Sequence, residues 1–309
     1  MYSIDILMAT YNGEKYIEQQ ISSIINQTYK NWRLIIRDDG SKDNTVDVVK
    51  KLMSYYPEKI LLISDNKGGL GAAQNFNELL KYSTSDYCMF CDQDDFWFED
   101  KVEKTLIKIR NIEEDNGKGC PVLIHTNLKV TDNNLNIISE SFWEYQNLYP
   151  QIKELNRLLV QNNITGCTVM INKTLKQLAG SVPHSSLMHD WWIGLIAACF
   201  GTIDYIEEPT MLYRQHGNND VGAQKADFKY VLKKISDREK YKNDLLRTQI
   251  QAKALLEAYK DCLEDRHIDS LKKYSELSSQ SFFKKRLYIL KYNFFKPGLL
   301  RNLGFIMFI

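Results

Sequence analysis

Asp92, Asp94 and Asp95 place three carboxylates within four residues, directly after the apolar run Tyr87-Cys88-Met89-Phe90-Cys91. Like charges this close repel and raise one another's pKa. A divalent cation removes the conflict, and hard oxygen ligands suit Mg2+ or Mn2+. The plainer alternative is a solvated acidic turn, with Asp95 helping to cap a helix that begins near Asp100. A second polar run is Arg37-Asp38-Asp39-Gly40-Ser41-Lys42-Asp43-Asn44-Thr45. Asp, Gly, Ser and Asn favour a turn followed by an N-cap. One of its carboxylates also suits a hydrogen bond from a pyrimidine base, and both roles are compatible. A third cluster is Thr10-Tyr11-Asn12-Gly13.

The elements that must position these clusters show in the periodicity. Residues 4–9, 34–36, 60–63 and 87–91 are short apolar runs that read as buried strands. Residues 14–26, 45–55, 72–81 and 100–114 carry helical spacing, as in Ile17, Ile21, Ile24 and Ile25. This alternation predicts right-handed βαβ units and an α/β fold, with a Rossmann-like, mostly parallel central sheet flanked by helices. Ligands bind at the carboxyl ends of such strands. All three polar clusters fall there, on one edge of one sheet.

The bulk composition narrows the classes. The 309 residues are 44% hydrophobic and 26% charged with net charge +1, values of a globular protein with no whole-molecule attraction to nucleic acid. The six cysteines form no dense framework. Cys88 and Cys91 make a lone CxxC, whereas a zinc site wants a second pair or histidines at ligand spacing. Buried reduced thiols and a cytoplasmic protein are expected. The N-terminus predicts no signal peptide, and no segment offers ~18 uninterrupted apolar residues for a spanning helix.

Taken in order, these segments resemble the inverting family 2 glycosyltransferases of the GT-A fold. Ala9-Thr10-Tyr11-Asn12-Gly13 is followed about 27 residues on by Asp38-Asp39-Gly40-Ser41, and about 53 further by Asp92-Gln93-Asp94-Asp95. Asn66-Lys67-Gly68-Gly69-Leu70-Gly71-Ala72-Ala73-Gln74-Asn75 between them is similar to that family's glycine-rich loop. The resemblance covers residues 3–220 and implies a catalytic domain over 1–222. It implies a nucleotide site of Thr10, Tyr11, Asn12, Asp39, Asn75 and Asp92, with Tyr11 against the base, Asp39 hydrogen-bonded to it and Asp92 on the ribose side. Asp94 or Asp95 would ligate Mn2+ or Mg2+ on the diphosphate. Gln74 stands where the family often has an arginine, which leaves a phosphate contact there without support.

Downstream lie Gly166-Cys167-Thr168, Met188-His189-Asp190-Trp191-Trp192 and Tyr213-Arg214-Gln215-His216-Gly217-Asn218-Asn219. The resemblance makes Asp190 the catalytic base. Its plain alternative is a cap for a helix over 191–200. His216, after a strand over 211–214, would complete the metal site, and Arg214 would pair with the diphosphate or with Asp190. Gly166, Cys167, His189 and Trp191 would line the donor and acceptor side. Together with Gly166-Cys167-Thr168, the pattern from His189 to Val221 is similar to bacterial rhamnosyltransferases of cell-wall and capsular polysaccharide assembly. That implies dTDP-β-L-rhamnose as donor, with a UDP-linked hexose as the alternative, and a lipid-linked saccharide as acceptor.

Residues 225–275 are charged, helical in pattern and poor in glycine and proline, so 223–309 reads as a helical extension. Its end, residues 282–309, holds Lys284, Lys285, Arg286, Lys291, Lys296 and Arg301 and no acidic residue, interleaved with aromatics and aliphatics. This suits a helix lying on the anionic inner face of the cell membrane. The competing expectation is an amphipathic helix docked on the domain. A homo-oligomer is left open. A nucleotidyltransferase would need a glycine-rich loop with an arginine after the first strand, where Thr10-Tyr11-Asn12-Gly13 stands. A non-catalytic binding module would have no use for a charge cluster that destabilises the fold. A processive synthase would need spanning helices.

Overall fold

In a computed structural model of the protein, residues 2–65, 67–217, 222 and 238–309 are described. Asn66, Asn218, Asn219, Val221 and residues 223–237, which figure in the expectations above, lie outside the described residues. Strands β1 (Ile4–Thr10), β2 (Trp32–Asp38), β3 (Ile60–Ile63) and β4 (Tyr87–Cys91) alternate with helices α1 (Ile17–Ile25), α2 (Thr45–Tyr55) and α3 (Ala72–Tyr82). They lie in the order β3-β2-β1-β4, all parallel. The three polar clusters therefore sit at the carboxyl ends of β1, β2 and β4, as the periodicity predicts.

Beyond β4 the sheet becomes mixed. The chain continues through β5 (Phe96–Trp97), α4 (Lys101–Asn116), β6 (Val122–Thr131), β7 (Ile137–Ser139), α5 (Phe142–Gln146) and α6 (Leu155–Leu158). After a 3₁₀ turn at Gly166–Thr168 come β8 (Met170–Asn172), α7 (Lys173–Ala179), α8 (His189–Phe200) and β9 (Thr202–Arg214). The three-residue β8 enters between β4 and β6 and pairs antiparallel with both. Among the described strands of this half, β6 and β9 are the parallel pair. A short strand between two others carries no periodic signal, so the mixed half was not legible.

Side chains alternate across the sheet with the strand period of two. Ile4, Ile6 and Met8 enter a core with α1, α2 and α4, while Leu7 enters the opposite core with α3, α7 and α8. Cys88 and Cys91 face these opposite cores, so the CxxC pair cannot share a metal. All six cysteines are free.

The C-terminal helices are α9 (Arg238–Tyr259), α10 (Asp265–Ser275), α11 (Phe282–Lys291) and α12 (Leu299–Phe308). Leu245, Ala252, Leu255, Tyr274, Ile289, Phe294 and Phe305 are buried in the same core as Leu158 and Trp192. The inner side of the segment is thus docked on the body, as the competing expectation has it. Its outer side is another matter: Phe282, Phe283, Leu287 and Leu290 stay exposed. Among the described residues no helix is long and apolar enough to cross a membrane.

Candidate active site

Strand β2 delivers a buried cation and a buried carboxylate to the sheet edge. Arg37 has no accessible surface. Its guanidinium donates to Asp65 (2.9 and 3.2 Å), Asn75 Oδ1 (2.8 Å), the Lys67 carbonyl (2.9 Å) and Asp39 Oδ1 (3.4 Å). One side chain so ties β2, the glycine-rich loop and α3 together. Sequence reasoning gave Arg37 no role; the signal was a cation following Leu34-Ile35-Ile36. Asp39 accepts the backbone N–H groups of Leu70 (3.0 Å) and Gly71 (2.8 Å). Asp38 closes the turn instead, accepting from Thr10 Oγ1 (3.0 Å) and the amides of Gly40 (2.9 Å) and Ser41 (2.8 Å).

Thr10 and Asn75 are buried beneath this edge, whereas Tyr11 is 53% exposed. The Gln93 amide clamps the Tyr11 backbone, accepting its N–H at 2.9 Å and donating to its carbonyl at 2.8 Å. Gly13 leaves room for that clamp, since a Cβ there would lie 2.1 Å from Gln93 Oε1. Asn12 adopts φ 50° and bridges to the second cluster, donating its N–H to Ser41 Oγ (2.8 Å) and accepting from the Lys42 amide (2.7 Å). Gln74 donates weakly to the Val182 carbonyl at 3.4 Å.

The acidic cluster occupies the turn after β4. Asp95 is fully buried, and its Oδ1 accepts the Arg214 N–H at 3.1 Å. Burial first, then the charges of Asp94 and Asp92, hold its carboxyl well above the usual range. The buried Lys101 also lies in this field, and burial pulls its ammonium down to about 8. Asp94 Oδ2 meets His216 Nε2 at 2.6 Å. His216 stacks on Tyr16 at 4.9 Å, and the Arg214 guanidinium lies over the same ring at 4.6 Å. Arg214, expected on the diphosphate or on Asp190, donates to the Asp94 carbonyl (2.7 Å), the Asn133 carbonyl (2.6 Å) and Gln19 (2.6 Å). Tyr16 and Gln19 were not foreseen, because aromatic and amide residues on a helix carry no motif.

Asp94 and His216 bring a carboxylate oxygen and an imidazole nitrogen to one point, a mixed donor pair that suits Mn2+ better than Mg2+, which prefers oxygen alone. Asp92, Asp95 and Cys167 also bring one ligand atom each within 4.8 Å of one another. Burial holds the Cys167 thiol well above its ordinary pKa, so it stays protonated and is a poor ligand for a hard cation.

Asp190 lies in the first turn of α8. Burial raises its carboxyl to about 6, against hydrogen bonds from the amides of Trp191 and Gly166 and from Asn162. The Trp191 N–H is at 2.6 Å and Asn162 Nδ2 at 3.4 Å. His189 packs against Phe76 (4.0 Å) and Phe90 (4.8 Å), and burial holds its imidazole neutral, with a pKa of about 3. A Cβ on Gly166 would lie 3.1 Å from His189 Nε2 and 3.2 Å from Asp190 Oδ2. The next residue, Cys167, faces Asp92 and Asp95. One 3₁₀ turn therefore separates Asp190 from the acidic cluster. Trp191 donates its indole N–H to the Leu158 carbonyl at 2.7 Å.

Residues 5–178 match the family model described as Glycosyl transferase family 2. The chain belongs to glycosyl transferase family 2. A relative of this family 2 chain, the dTDP-rhamnosyl transferase RfbG of Shigella flexneri, is 34% identical over 254 residues, 76% of this chain and 77% of that protein. The UDP-Glc:alpha-D-GlcNAc-diphosphoundecaprenol beta-1,3-glucosyltransferase WfgD of Escherichia coli is 31% identical over 174 residues, 56% of this chain and 62% of that protein. The family 2 chain has the GT-A fold. S. aureus TarS in complex with UDP superposes with TM-score 0.57 at 16% identity, over 91% of this chain and 73% of that one. The mannosyltransferase of Pyrobaculum calidifontis in complex with GDP-Man and Mn2+ gives TM-score 0.52 at 14% identity, over 99% and 84%.

Proposed function

We propose that this glycosyltransferase inverts configuration in a single displacement, moving L-rhamnose from dTDP-β-L-rhamnose to a hydroxyl of a growing, lipid-linked cell-surface saccharide at the inner face of the membrane. The observation that carries the reading is the turn Gly166–Thr168, with Asp190 against one residue and the acidic cluster against the next. Rhamnose is supported by the 34% identity to a dTDP-rhamnosyl transferase. A UDP-hexose is the second reading, favoured by the 31% identical glucosyltransferase, whose name also carries a diphosphoundecaprenol-linked acceptor.

In this reading Tyr11 stacks on the base, Asp39 accepts its N–H, and Asp92 takes the ribose. Asp190 accepts the proton of the attacking hydroxyl. That oxygen bonds to the anomeric carbon as the bond from this carbon to the diphosphate oxygen breaks, so a β-linked donor yields an α-rhamnoside. A carboxyl whose pKa is about 6 is ionised at neutral pH yet basic enough to take a proton in the transition state. Arg214, Tyr16 and Asp95 fix the geometry of Asp94 and His216. A Mn2+ or Mg2+ ion held by Asp94 and His216 would neutralise charge on the departing diphosphate.

The test is thermal shift with dTDP-rhamnose and UDP-glucose, each with and without Mn2+. A bound ligand stabilises by mass action, by about 2.7 kcal/mol at a hundred times its Kd. Stabilisation by dTDP-rhamnose but not UDP-glucose is expected, and larger with Mn2+. The reverse preference selects the second reading, and no response to any nucleotide sugar overturns both.

A further inference from the structure

Helix α11 is amphipathic in the wrong sense for a water-facing element. Ile289 is buried, while Phe282 (64%), Phe283 (83%), Leu287 (57%) and Leu290 (67%) are exposed. At 3.6 residues per turn these four fall within an arc of about 140°. Lys284 and Lys291 border that arc, both exposed. Lys285 lies close enough to Lys242 of α9 for that charge to reach it. On α12, Leu303 and Met307 are exposed one turn apart. Scattered apolar residues on a surface need no explanation, but a stripe of this size rimmed by one sign of charge marks an interaction site.

We propose that the outward face of α11, continued by Lys242 of α9 and by α12, docks the protein on an anionic lipid bilayer. Charge complementarity selects this occupant. Lys284 and Lys291 stand exposed beside the apolar arc, and residues 282–309 contain no acidic side chain to oppose them. Anionic headgroups attract such lysines while phenylalanine and leucine enter the boundary between headgroups and acyl chains. A second copy meeting the same face would instead set lysines against lysines.

The platform is joined to the catalytic body by hydrogen bonds. Arg286 donates to the Ile306 carbonyl at 2.6 Å, and Arg301 to the carbonyls of Gln146 (2.5 Å) and Asn147 (2.9 Å). From α6, Asn156 donates to the Tyr292 carbonyl at 2.8 Å and Arg157 to the Phe295 carbonyl at 2.6 Å. The same helix ends at Leu158, whose carbonyl accepts the indole N–H of Trp191, the neighbour of Asp190. Lipid docking thereby orients α8 relative to the bilayer. This last step rests on the reading of a lipid-linked acceptor; the docking itself does not.

The full chain is sedimented with vesicles of phosphatidylcholine and phosphatidylglycerol, and with phosphatidylcholine alone, at low and high salt. Two variants accompany it: Phe283→Ser with Leu287→Ser and Leu290→Ser, and Lys284→Glu with Lys291→Glu. Binding to the anionic vesicles alone is expected, weaker at high salt and reduced about tenfold or more in each variant. Because both lysines are exposed, the charge variant keeps the test decisive even where the serine variant fails to fold. Wild type that stays in solution, or both variants binding like wild type, overturns the proposal. So does a wild-type dimer in sedimentation velocity that the serine variant splits, since a second copy then covers the face. Affinity for dTDP is measured on the same samples by calorimetry. No dTDP binding with intact vesicle binding refutes the donor reading and leaves the docking face standing.

Discussion

Asp190 is a carboxylate on which burial and hydrogen bonding oppose each other, with burial ahead. Asp190→Asn keeps the shape and removes the base. Transfer should fall ~10²–10⁴-fold while nucleotide affinity holds, because positioned proton transfer alone contributes that much. Parallel calorimetry and product assays check this, and transfer at the wild-type rate places the base elsewhere. The pH profile follows from the same carboxyl: the rate should rise through about pH 6 and then level as the base becomes ionised. Stability moves the opposite way. The folded pKa lies above the unfolded value of 3.8, so protonated Asp190 favours the fold at low pH and that contribution is lost as pH rises through about 6. A shift of this size corresponds to ~2–3 kcal/mol. Asp190→Asn should therefore melt higher than wild type near neutral pH, with the gap closing in acid. A gap that stays constant across the range would assign the change to packing rather than ionisation.

At the scale of elements, the 3₁₀ turn Gly166–Thr168 sets the distance between base and acidic cluster. Gly166→Ala would place a Cβ against His189 Nε2 and Asp190 Oδ2, and His189 is packed against Phe76 and Phe90. We expect kcat to fall at least about tenfold with little change in nucleotide affinity, because misplacing a reacting group by a fraction of an ångström is costly. Equal losses in kcat and affinity would mean that the turn serves the donor pocket too. Beneath the glycine-rich loop, Arg37→Met leaves Asp39 and Asp65 without their cation. Breaking a buried ion pair costs about 3–5 kcal/mol, so a lower melting temperature and weaker nucleotide binding are expected. A melting curve like that of wild type would show that the loop holds itself. The bounds of α2, β3 and β4 were legible because their apolar periods are clean and their ends carry turn residues. Asp92, Asp94, Asp190 and His216 were legible as residue types in order. What was hidden depends on distant partners: Arg37 under a loop, Asn162 on Asp190, Tyr16 beneath His216. Likewise Asp38 and Asp39 are alike in sequence, and only their partners separate a turn-closing carboxylate from one that holds the glycine-rich loop.

At the scale of the molecule, the sequence of residues 282–309 suits both a membrane-lying helix and a docked one, because composition does not reveal which side of a helix is covered. The structure divides them by side. Ile289, Phe294, Phe305 and Phe308 enter the core that also holds Leu158 and Trp192. Each such side chain contributes ~1.5–3 kcal/mol on burial, an upper estimate because unfolded chains are themselves partly collapsed. Together they amount to several kcal/mol, a large share of the ~5–15 kcal/mol that holds a typical domain. A chain ending at Gln280 should therefore not behave as a detached enzyme. It would uncover the apolar side of α9 and α10 and remove the carbonyls that receive Asn156 and Arg157. We expect its melting temperature to drop by about ten degrees or more, with dye binding that reports exposed apolar surface. Transfer to soluble acceptors should fall along with transfer to lipid-linked ones, since the support of α8 is lost. The outer-face variants differ, because Phe283, Leu287 and Leu290 face solvent, and their melting should match wild type. Truncation that leaves the melting temperature unchanged would mean that these four side chains stabilise nothing.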